Sequence, residues 1–178
     1  MKVLLKIRWF VVVFIFAAFV GCVTSSTNTS STNLLPDKKR TELGLYLTAM
    51  EAYDLLKKDG KTILFVDVRT PQEVALGSPK LVDAYIPYQL IKENEKKQSQ
   101  WVVNHHFMPD METRLIDQGL DKQSAVILIC RQGNRSAMAT DALAKEGYEK
   151  VYHVIDGVNG WKKSHLPWTE LSEEKIQL

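Results

Sequence analysis

The feature that most constrains this chain is a run of five apolar residues, Ala125 to Ile129, that leads directly into a cysteine. Such a run, largely β-branched, predicts a buried strand of a parallel sheet that ends at Cys130. A short loop with one glycine and two arginines follows, and a helical pattern begins at Ser136. In a strand–loop–helix unit, backbone N–H groups converge on one point and favour negative charge. The pattern therefore predicts an anion-binding loop with a cysteine at its start.

Cys130 is the candidate nucleophile of this loop. Helix N-termini and nearby cations stabilise a thiolate, which is the reactive form of a cysteine, and Arg131 and Arg135 flank Cys130. The alternative is an inert packed cysteine, but a loop rich in glycine and arginine favours reactivity. We expect Ser136 to cap the helix. We also expect Arg135 to have an anionic partner, because a cation is unfavourable at a helix start.

Strands alternate with helices along the rest of the chain. The predicted strands outside the cysteine unit are Thr62–Val66, Leu81–Ile86 and Val151–Ile155. The predicted helices are Ala49–Lys58, which Thr48 caps with Glu51 closing a capping box, a short helix that Thr70 caps in the same way with Glu73, and the helices Asp110–Gln118, Ala137–Glu146 and Val158–Ser164. This alternation predicts an α/β domain with a central, mostly parallel sheet. The charged stretch Lys92–Gln100 is interpreted as an exposed loop or a frayed helix.

A second polar site follows another buried strand. Asp67 and Arg69 come directly after Thr62–Val66, and ligands of parallel sheets bind beyond the carboxyl ends of the strands. Asp67 could be catalytic, but its position favours a supporting role, either by accepting hydrogen bonds from loop amides or by pairing with Arg69. Trp101 and His153 are interpreted as packing residues. His105 and His106 are adjacent without further ligands at suitable spacing, so no metal site is predicted.

The N-terminus predicts a targeting segment. Three basic residues precede the apolar run Trp9–Val20, which is shorter than the roughly 20 residues of a transmembrane helix and is typical of a signal peptide. The run ends just before Cys22, in a sequence that resembles a bacterial lipobox. Residues 1–21 are therefore predicted to be a signal peptide, and Cys22 to be lipidated. The alternative is an uncleaved N-terminal anchor.

The remaining boundaries follow from composition. Residues 22–44 contain a stretch of serine, threonine and asparagine that predicts a flexible tether. The folded domain is predicted to span residues 45–170, followed by a loose tail at 171–178. If Cys22 is lipidated, Cys130 is the only thiol left, which excludes an internal dithiol cycle.

Charge argues against a nucleic-acid partner. The chain has 23 Lys and Arg against 21 Asp and Glu. Without Lys2, Lys6 and Arg8 of the signal peptide, 20 basic residues remain against 21 acidic ones. A nucleic-acid-binding domain would need a basic face or stripe, and none is indicated.

The chain from about Thr48 to Trp168 resembles a single rhodanese domain. The Cys-Arg-x-Gly-x-Arg-Ser pattern of the cysteine loop is the most specific part of this resemblance. The matching stretches, in order, are Val66–Glu73, Cys130–Ser136, Gly147–Val154 and Asp156–Trp168. The Gly-His-Ile-Pro-Gly-Ala segment common in the family is replaced by Ala84–Pro87, so the resemblance does not define the acceptor.

The resemblance implies a rhodanese-like α/β fold with helices on both faces of the sheet, and sulfurtransferase activity without a cofactor. Cys130 would take sulfane sulfur from a small sulfur-containing anion such as thiosulfate and pass it to a thiol or cyanide-like acceptor. The residues implied to bind the persulfide are Arg131, Gln132, Gly133, Asn134, Arg135 and Ser136.

Several alternatives stay open. The acceptor could be a protein, and the loop could hold and deliver sulfur without turnover. A cysteine phosphatase is a remote alternative, because its loop has histidine before the cysteine and five residues between cysteine and arginine. Here Ile129 precedes Cys130, and four residues separate it from Arg135. With the signal peptide, the expected location is the extracytoplasmic side of a bacterial envelope, anchored to a membrane by lipid, with an outer membrane facing the periplasm as one option.

Overall fold

The computed structural model describes residues 35–170 of the 178-residue chain. The predicted signal peptide, Cys22, most of the predicted tether and the tail at 171–178 lie outside the described residues. Within residues 35–170, no helix is long and apolar enough to cross a membrane.

The described residues form nine strands and five α-helices. The strands are β1 (Tyr46–Leu47), β2 (Ile63–Asp67), β3 (Ser78–Pro79), β4 (Ala84–Tyr85), β5 (Gln89–Glu93), β6 (Ser99–Val103), β7 (Ala125–Ile129), β8 (Val151–Val154) and β9 (Trp168–Thr169). The helices are α1 (Ala49–Asp59), α2 (Pro71–Val74), α3 (Phe107–Asp117), α4 (Asn134–Lys145) and α5 (Gly157–Lys163). Short 3-10 helices lie at Asp37–Lys39 and Gly60–Thr62.

The central sheet has five strands in the order β1-β8-β7-β2-β4, and every pairing in it is parallel. This confirms the predicted parallel sheet. Asp67 at the end of β2 is in register with Ile129 at the end of β7. Because both strands end at the same edge, the residues that follow them, including Cys130, belong to one rim of the sheet.

Helices cover both faces of this sheet. Leu64 and Val66 of β2 belong to a buried cluster with side chains of α3 and α4. Ile63 and Phe65, the alternate residues of the same strand, belong to a second cluster with α1 and α5. Successive side chains of a strand point to opposite faces, so a strand that is apolar on both faces is buried on both, as the continuous apolar runs predicted.

Two helix starts follow the predicted capping chemistry. Thr48 and Thr70 each accept a hydrogen bond from the amide three residues later, and the Glu51 and Glu73 carboxylates each accept one from the cap amide. These reciprocal bonds satisfy amides that a helix start leaves free. The predicted caps of α1 and α2 are therefore confirmed.

The interpretation of Lys92–Gln100 as a loop or frayed helix is wrong. This stretch contributes to both strands of an antiparallel hairpin, β5 and β6, which forms its own two-stranded sheet. Asn94 organises the turn, since its side-chain oxygen accepts the amides of Lys96 and Gln98 at 3.0 and 2.9 Å. Asparagine stabilises turns in this way. The hairpin escaped prediction because its charged residues are exposed and no apolar alternation marks its strands.

Helix α4 begins earlier than predicted. It starts at Asn134, and Gly133 is its N-cap residue, in a left-handed conformation with φ of 97°. Ser136 lies inside the first turn, where its hydroxyl oxygen lies 3.1 Å from the Gly133 carbonyl oxygen. The prediction that Ser136 caps this helix is therefore wrong, because the left-handed glycine turns the chain into the helix without a side-chain cap.

The segment before β1 packs on the domain. The Lys39 ammonium donates to the Ile155 carbonyl at 2.7 Å, and the Glu42 amide donates to Asp141 of α4 at 2.8 Å. Residues 37–44, which the sequence assigned to the tether, are thus fixed by hydrogen bonds that reach more than 90 residues along the chain. We call residues 36–44 the N-terminal strap.

Candidate functional site

Cys130 directly follows β7 and is 1% exposed. The Gly133 amide donates to its sulfur at 3.2 Å, and the Ser136 hydroxyl oxygen lies 3.5 Å from the sulfur. Both contacts come from the loop and the first turn of α4. The loop therefore supplies a backbone N–H that points at the sulfur, as the sequence predicted.

The loop is attached to the start of α5. The Val158 amide donates to the Cys130 carbonyl at 2.8 Å, and the Asn159 amide donates to the Arg131 carbonyl at 3.1 Å. Gly157 makes this approach possible, since its φ is 58° and a Cβ there would lie 2.3 Å from the Cys130 carbonyl oxygen. The free amides of one helix start thus hold the carbonyls of the loop that opens another.

Gly133 is required by both conformation and space. Its φ of 97° favours glycine, and a Cβ would lie 2.3 Å from the Ile155 carbonyl oxygen. The loop therefore rests against the end of β8, and this contact fixes the amide that points at Cys130.

Arg135 has the anionic partner that its position suggested, and the partner is Glu73. Two guanidinium nitrogens donate to the two Glu73 oxygens at 2.5 and 2.6 Å. Burial alone would raise the pKa of Glu73, but the bonds from Arg135 and the Thr70 amide outweigh it and leave that pKa below its ordinary value. Burial would lower the pKa of Arg135, and its bonds to Glu73 instead hold that pKa above normal. Both groups are therefore charged at neutral pH.

A cleft of about 340 Å³ opens above Cys130. The loop contributes Arg131, Gln132, Asn134 and Arg135 to its lining, and the rest of the chain contributes Glu73, Gln89, Trp101 and Met138. The Arg131 and Gln132 side chains are exposed. Four of the six candidate loop residues are therefore brought together with Cys130 around one cleft, whereas Gly133 and Ser136 are buried beneath the loop and do not line it.

Trp101 and Met138 form the apolar part of the mouth of this cleft. Trp101 is 52% exposed, Met138 is 41% exposed, and the Trp101 ring centre lies 5.0 Å from the Arg135 guanidinium. The interpretation of Trp101 as a packing residue is wrong, since the β5–β6 hairpin carries it to the surface. No sequence signal identified it, because the hairpin itself was missed.

Asp67 and Arg69 form a buried ion pair, and neither residue lines the cleft. The closest approach is 2.6 Å, and Asp67 also accepts the Ser78 hydroxyl at 2.8 Å. Arg69 further donates to the Gly77 carbonyl at 2.8 Å. Both contacts expected for Asp67 are present, since it pairs with the Arg69 guanidinium and accepts the Arg69 loop amide at 3.1 Å. The pair ties the end of β2 to the segment before β3.

Ser136 connects Cys130 to a buried histidine. The Ser136 oxygen lies 3.4 Å from His153 Nδ1, and His153 Nε2 lies 2.9 Å from the Lys39 carbonyl. His153 is fully buried on β8, and burial lowers its pKa to about 4. The ring is therefore neutral at pH 7. Sequence reasoning placed His153 in the core and did not connect it with the loop.

The fold and the site together define a class: an α/β protein with a cysteine at the carboxyl edge of a parallel sheet, in a glycine- and arginine-containing loop that opens a helix. The chain belongs to the rhodanese-like domain family, whose model matches residues 48–164.

Proteins similar to this chain include sulfurtransferases. An uncharacterised protein of Rickettsia rickettsii is 31% identical over 130 residues, covering 68% of this chain and 94% of that protein. A thiosulfate sulfurtransferase of Actinobacillus pleuropneumoniae serotype 3 is 26% identical over 117 residues, covering 66% and 85%. The solved polysulfide-sulfur transferase homodimer of Wolinella succinogenes is 25% identical with a TM-score of 0.50, covering 72% and 80%. The resemblance stated from the sequence is confirmed.

Proposed function

We propose that this protein is a sulfurtransferase that carries sulfane sulfur as a persulfide on Cys130. The observation that carries the proposal is the Gly133 amide directed at the sulfur of Cys130 from 3.2 Å, beside a cleft that Cys130 lines. The family and its sulfur-transferring members support the same chemistry.

The reaction has two displacements at sulfur. The Cys130 thiolate attacks the sulfane sulfur of a donor such as thiosulfate, a new S–S bond forms, and sulfite leaves with the electron pair of the broken bond. A nucleophilic acceptor then attacks the outer sulfur of the persulfide, and the thiolate leaves. Covalent storage divides one transfer into two easier steps.

Charge around the cleft favours an anionic donor only moderately. Arg135 is paired with Glu73 through both carboxylate oxygens. Arg131, exposed at the cleft, adds a positive charge. The local balance is therefore about one positive charge, which offsets part of the repulsion between a thiolate and an anion.

The test is a thiosulfate:cyanide sulfurtransferase assay on the full chain and on Cys130→Ser. Cys22→Ser serves as the matched control, because it removes the other cysteine of the chain. We expect activity in the unaltered chain and in Cys22→Ser, and none in Cys130→Ser. Activity that survives the loss of Cys130 would contradict the proposal.

A second candidate function is delivery of sulfur to a protein without rapid turnover of small acceptors. The exposed Trp101 and Met138 at the cleft mouth favour it, since apolar side chains of this size are typical of surfaces that bind macromolecules. Mass spectrometry separates the two functions. A delivery protein should retain a mass increase of about 32 Da per sulfur on Cys130 that cyanide removes slowly.

We further propose that the protein is attached to the extracytoplasmic side of a bacterial membrane through a lipid on Cys22. The supporting observation is the apolar run Trp9–Val20 followed by Cys22. Cell fractionation tests this location. The chain should be found with membranes, and Cys22→Ala should lose both the lipid label and the membrane association.

A further inference from the structure

A line of buried contacts runs from the nucleophile to the N-terminal strap. Cys130 Sγ lies 3.5 Å from Ser136 Oγ, which lies 3.4 Å from His153 Nδ1. His153 Nε2 lies 2.9 Å from the Lys39 carbonyl oxygen. Ser136 and His153 are both fully buried, so water does not substitute for these partners.

The Lys39 carbonyl determines which histidine nitrogen carries the hydrogen. A carbonyl can only accept, so His153 Nε2 donates to it, and Nδ1 of the neutral ring is left as an acceptor. The charged groups that act on this ring are Lys39 and Asp141, and Tyr46 packs against it edge-on. Burial dominates over both charges and lowers the pKa of His153 to about 4. The acceptor at Nδ1 is therefore present at neutral pH.

Ser136 has one hydroxyl hydrogen and three acceptors around it. They are the Gly133 carbonyl at 3.1 Å, His153 Nδ1 and the Cys130 sulfur. The Gly133 carbonyl already accepts the Ala137 amide at 3.1 Å. If the hydrogen turned to the sulfur, His153 Nδ1 would be buried without a donor among residues 35–170, which costs free energy.

We propose that His153 is a positioning residue for Cys130: its Nδ1 competes for the Ser136 hydroxyl hydrogen and so withholds that hydrogen bond from the Cys130 thiolate. Ser136 then faces the sulfur with its oxygen, which accepts the S–H of the thiol. The Gly133 amide thus donates a hydrogen bond to the sulfur, whereas the Ser136–His153 pair keeps the hydroxyl hydrogen away from it. The inference deepens the proposed function, because it concerns the reactivity of the same cysteine.

The N-terminal strap is part of this arrangement, although it precedes the residues 48–164 that match the family. Lys39 uses its carbonyl to fix His153 and its ammonium to bind the Ile155 carbonyl at 2.7 Å. The Ile155 carbonyl is also the group against which Gly133 rests. The N-terminal strap therefore supports His153 directly and Gly133 through the Ile155 carbonyl, and these are the two residues that control the hydrogen bonds at the sulfur.

Two substitutions separate the acceptor that His153 offers to Ser136 from the donor that it offers to Lys39. His153→Asn places an amide oxygen near the Nδ1 position and keeps the acceptor for Ser136, whereas His153→Gln keeps a donor for Lys39 and removes that acceptor. The readout is the alkylation rate of Cys130 by iodoacetamide at pH 7 in the full chain, followed by mass spectrometry on the Cys130 peptide. We expect about a tenfold faster rate in His153→Gln and an unchanged rate in His153→Asn.

A double substitution tests whether the effect passes through Ser136. In a Ser136→Ala background, His153→Gln should change the rate less than about twofold, because the competing hydroxyl is gone. An undiminished increase in that background, or equal changes in the glutamine and asparagine variants, would overturn the inference.

A measurement on the unaltered chain covers the case in which a variant fails to fold. The ¹⁵N shifts of the His153 ring at pH 7 should show a protonated Nε2 and an unprotonated Nδ1, and a protonated Nδ1 would overturn the inference. Alkylation and ring shifts require no sulfur transfer. A failure here is therefore distinguishable from a failure of the proposed sulfurtransferase activity.

Discussion

Glu73 and Arg135, 62 residues apart in the chain, are joined by two hydrogen bonds of 2.5 and 2.6 Å beside the cysteine loop. Glu73 simultaneously closes the capping box of α2 through the Thr70 amide at 3.1 Å. One carboxylate thus stabilises a helix start and compensates the cation of the loop. The net positive charge that an anionic donor meets in the cleft therefore depends on Glu73 as well as on the arginines of the loop.

Glu73→Gln should strengthen binding of an anionic donor. Glutamine can still close the capping box, but it leaves the positive charge of Arg135 uncompensated. We expect the KM for thiosulfate to fall about threefold at low ionic strength, with a smaller change in high salt. Steady-state kinetics at two salt concentrations measure it. Glu93→Gln, on the exposed hairpin, is the control and should leave KM unchanged, and a rise of KM in Glu73→Gln would contradict this prediction.

The stability of the fold should depend on pH through His153. Its pKa is about 4 in the folded protein against an ordinary 6.5, so between these values the unfolded chain binds more protons. The unfolding free energy therefore rises with pH across this window, and a contribution of about 3 kcal/mol, complete above pH 6.5, is lost as the pH falls to 4. Urea unfolding at several pH values measures it.

The matched control for this pH effect is the exposed His106, which is close to the hairpin and not in the core. His153→Asn should flatten the pH dependence between 4 and 6.5, whereas His106→Asn should leave it as it is. Equal slopes in all three proteins would show that His153 titrates normally.

Gly133→Ala should lower the free energy of unfolding by more than the strain of placing alanine at a positive φ. Gly133 and Gly147 both have positive φ, of 97° and 86°, but a Cβ at Gly147 meets nothing within 4 Å. We expect a loss of about 1 kcal/mol for Gly147→Ala. For Gly133→Ala we expect about 2–4 kcal/mol, because the methyl group also displaces backbone. Chemical denaturation of both variants decides the matter, and similar losses would refute the steric contribution of the Ile155 carbonyl.

Trp101→Ala should separate large acceptors from small ones. The indole lies over Arg135 at the cleft mouth, where a peptide thiol would touch it and cyanide would not. We expect kcat/KM to fall about threefold to fivefold with a cysteine peptide and to change little with cyanide. Ile91→Ala is the control, because Ile91 is the exposed cross-strand neighbour of Trp101. Equal losses with both acceptors would remove Trp101 from acceptor selection.

Arg69→Met should destabilise the whole domain. The substitution leaves Asp67 fully buried and without its guanidinium partner. Removing one member of a buried ion pair costs about 3–5 kcal/mol. Arg114→Met breaks an exposed pair with Asp117 instead, and it should stay within about 0.5 kcal/mol. Thermal and urea unfolding provide the comparison, and a loss below 1 kcal/mol in Arg69→Met would contradict the structural importance of this pair.

The buried parts of the fold could be predicted because burial leaves a signal in the sequence. Strand β7 is covered on both faces, so its sequence is continuously apolar. The predicted range, Ala125–Ile129, is therefore the same as the observed one. The caps Thr48 and Thr70 act within four residues of sequence, so local chemistry was enough to locate them.

The remaining features depend on contacts that sequence spacing does not encode. Glu73 was assigned to a capping box, and its second partner, Arg135, is distant in the chain. The early start of α4 depends on Gly133, whose left-handed conformation is fixed by the Ile155 carbonyl of another strand. The hairpin that carries Trp101 is outside the core, where apolar periodicity gives no guidance.

The N-terminal strap affects where the boundary of an expressed fragment of this protein should be placed. A gene fragment begun at residue 45 would contain the whole family match and still discard Lys39, the carbonyl partner of His153. The imidazole would then be open to solvent on one side and free to exchange tautomers. Such a fragment would be a different reagent from the parent chain, and fragments intended to report native chemistry should begin upstream of Pro36.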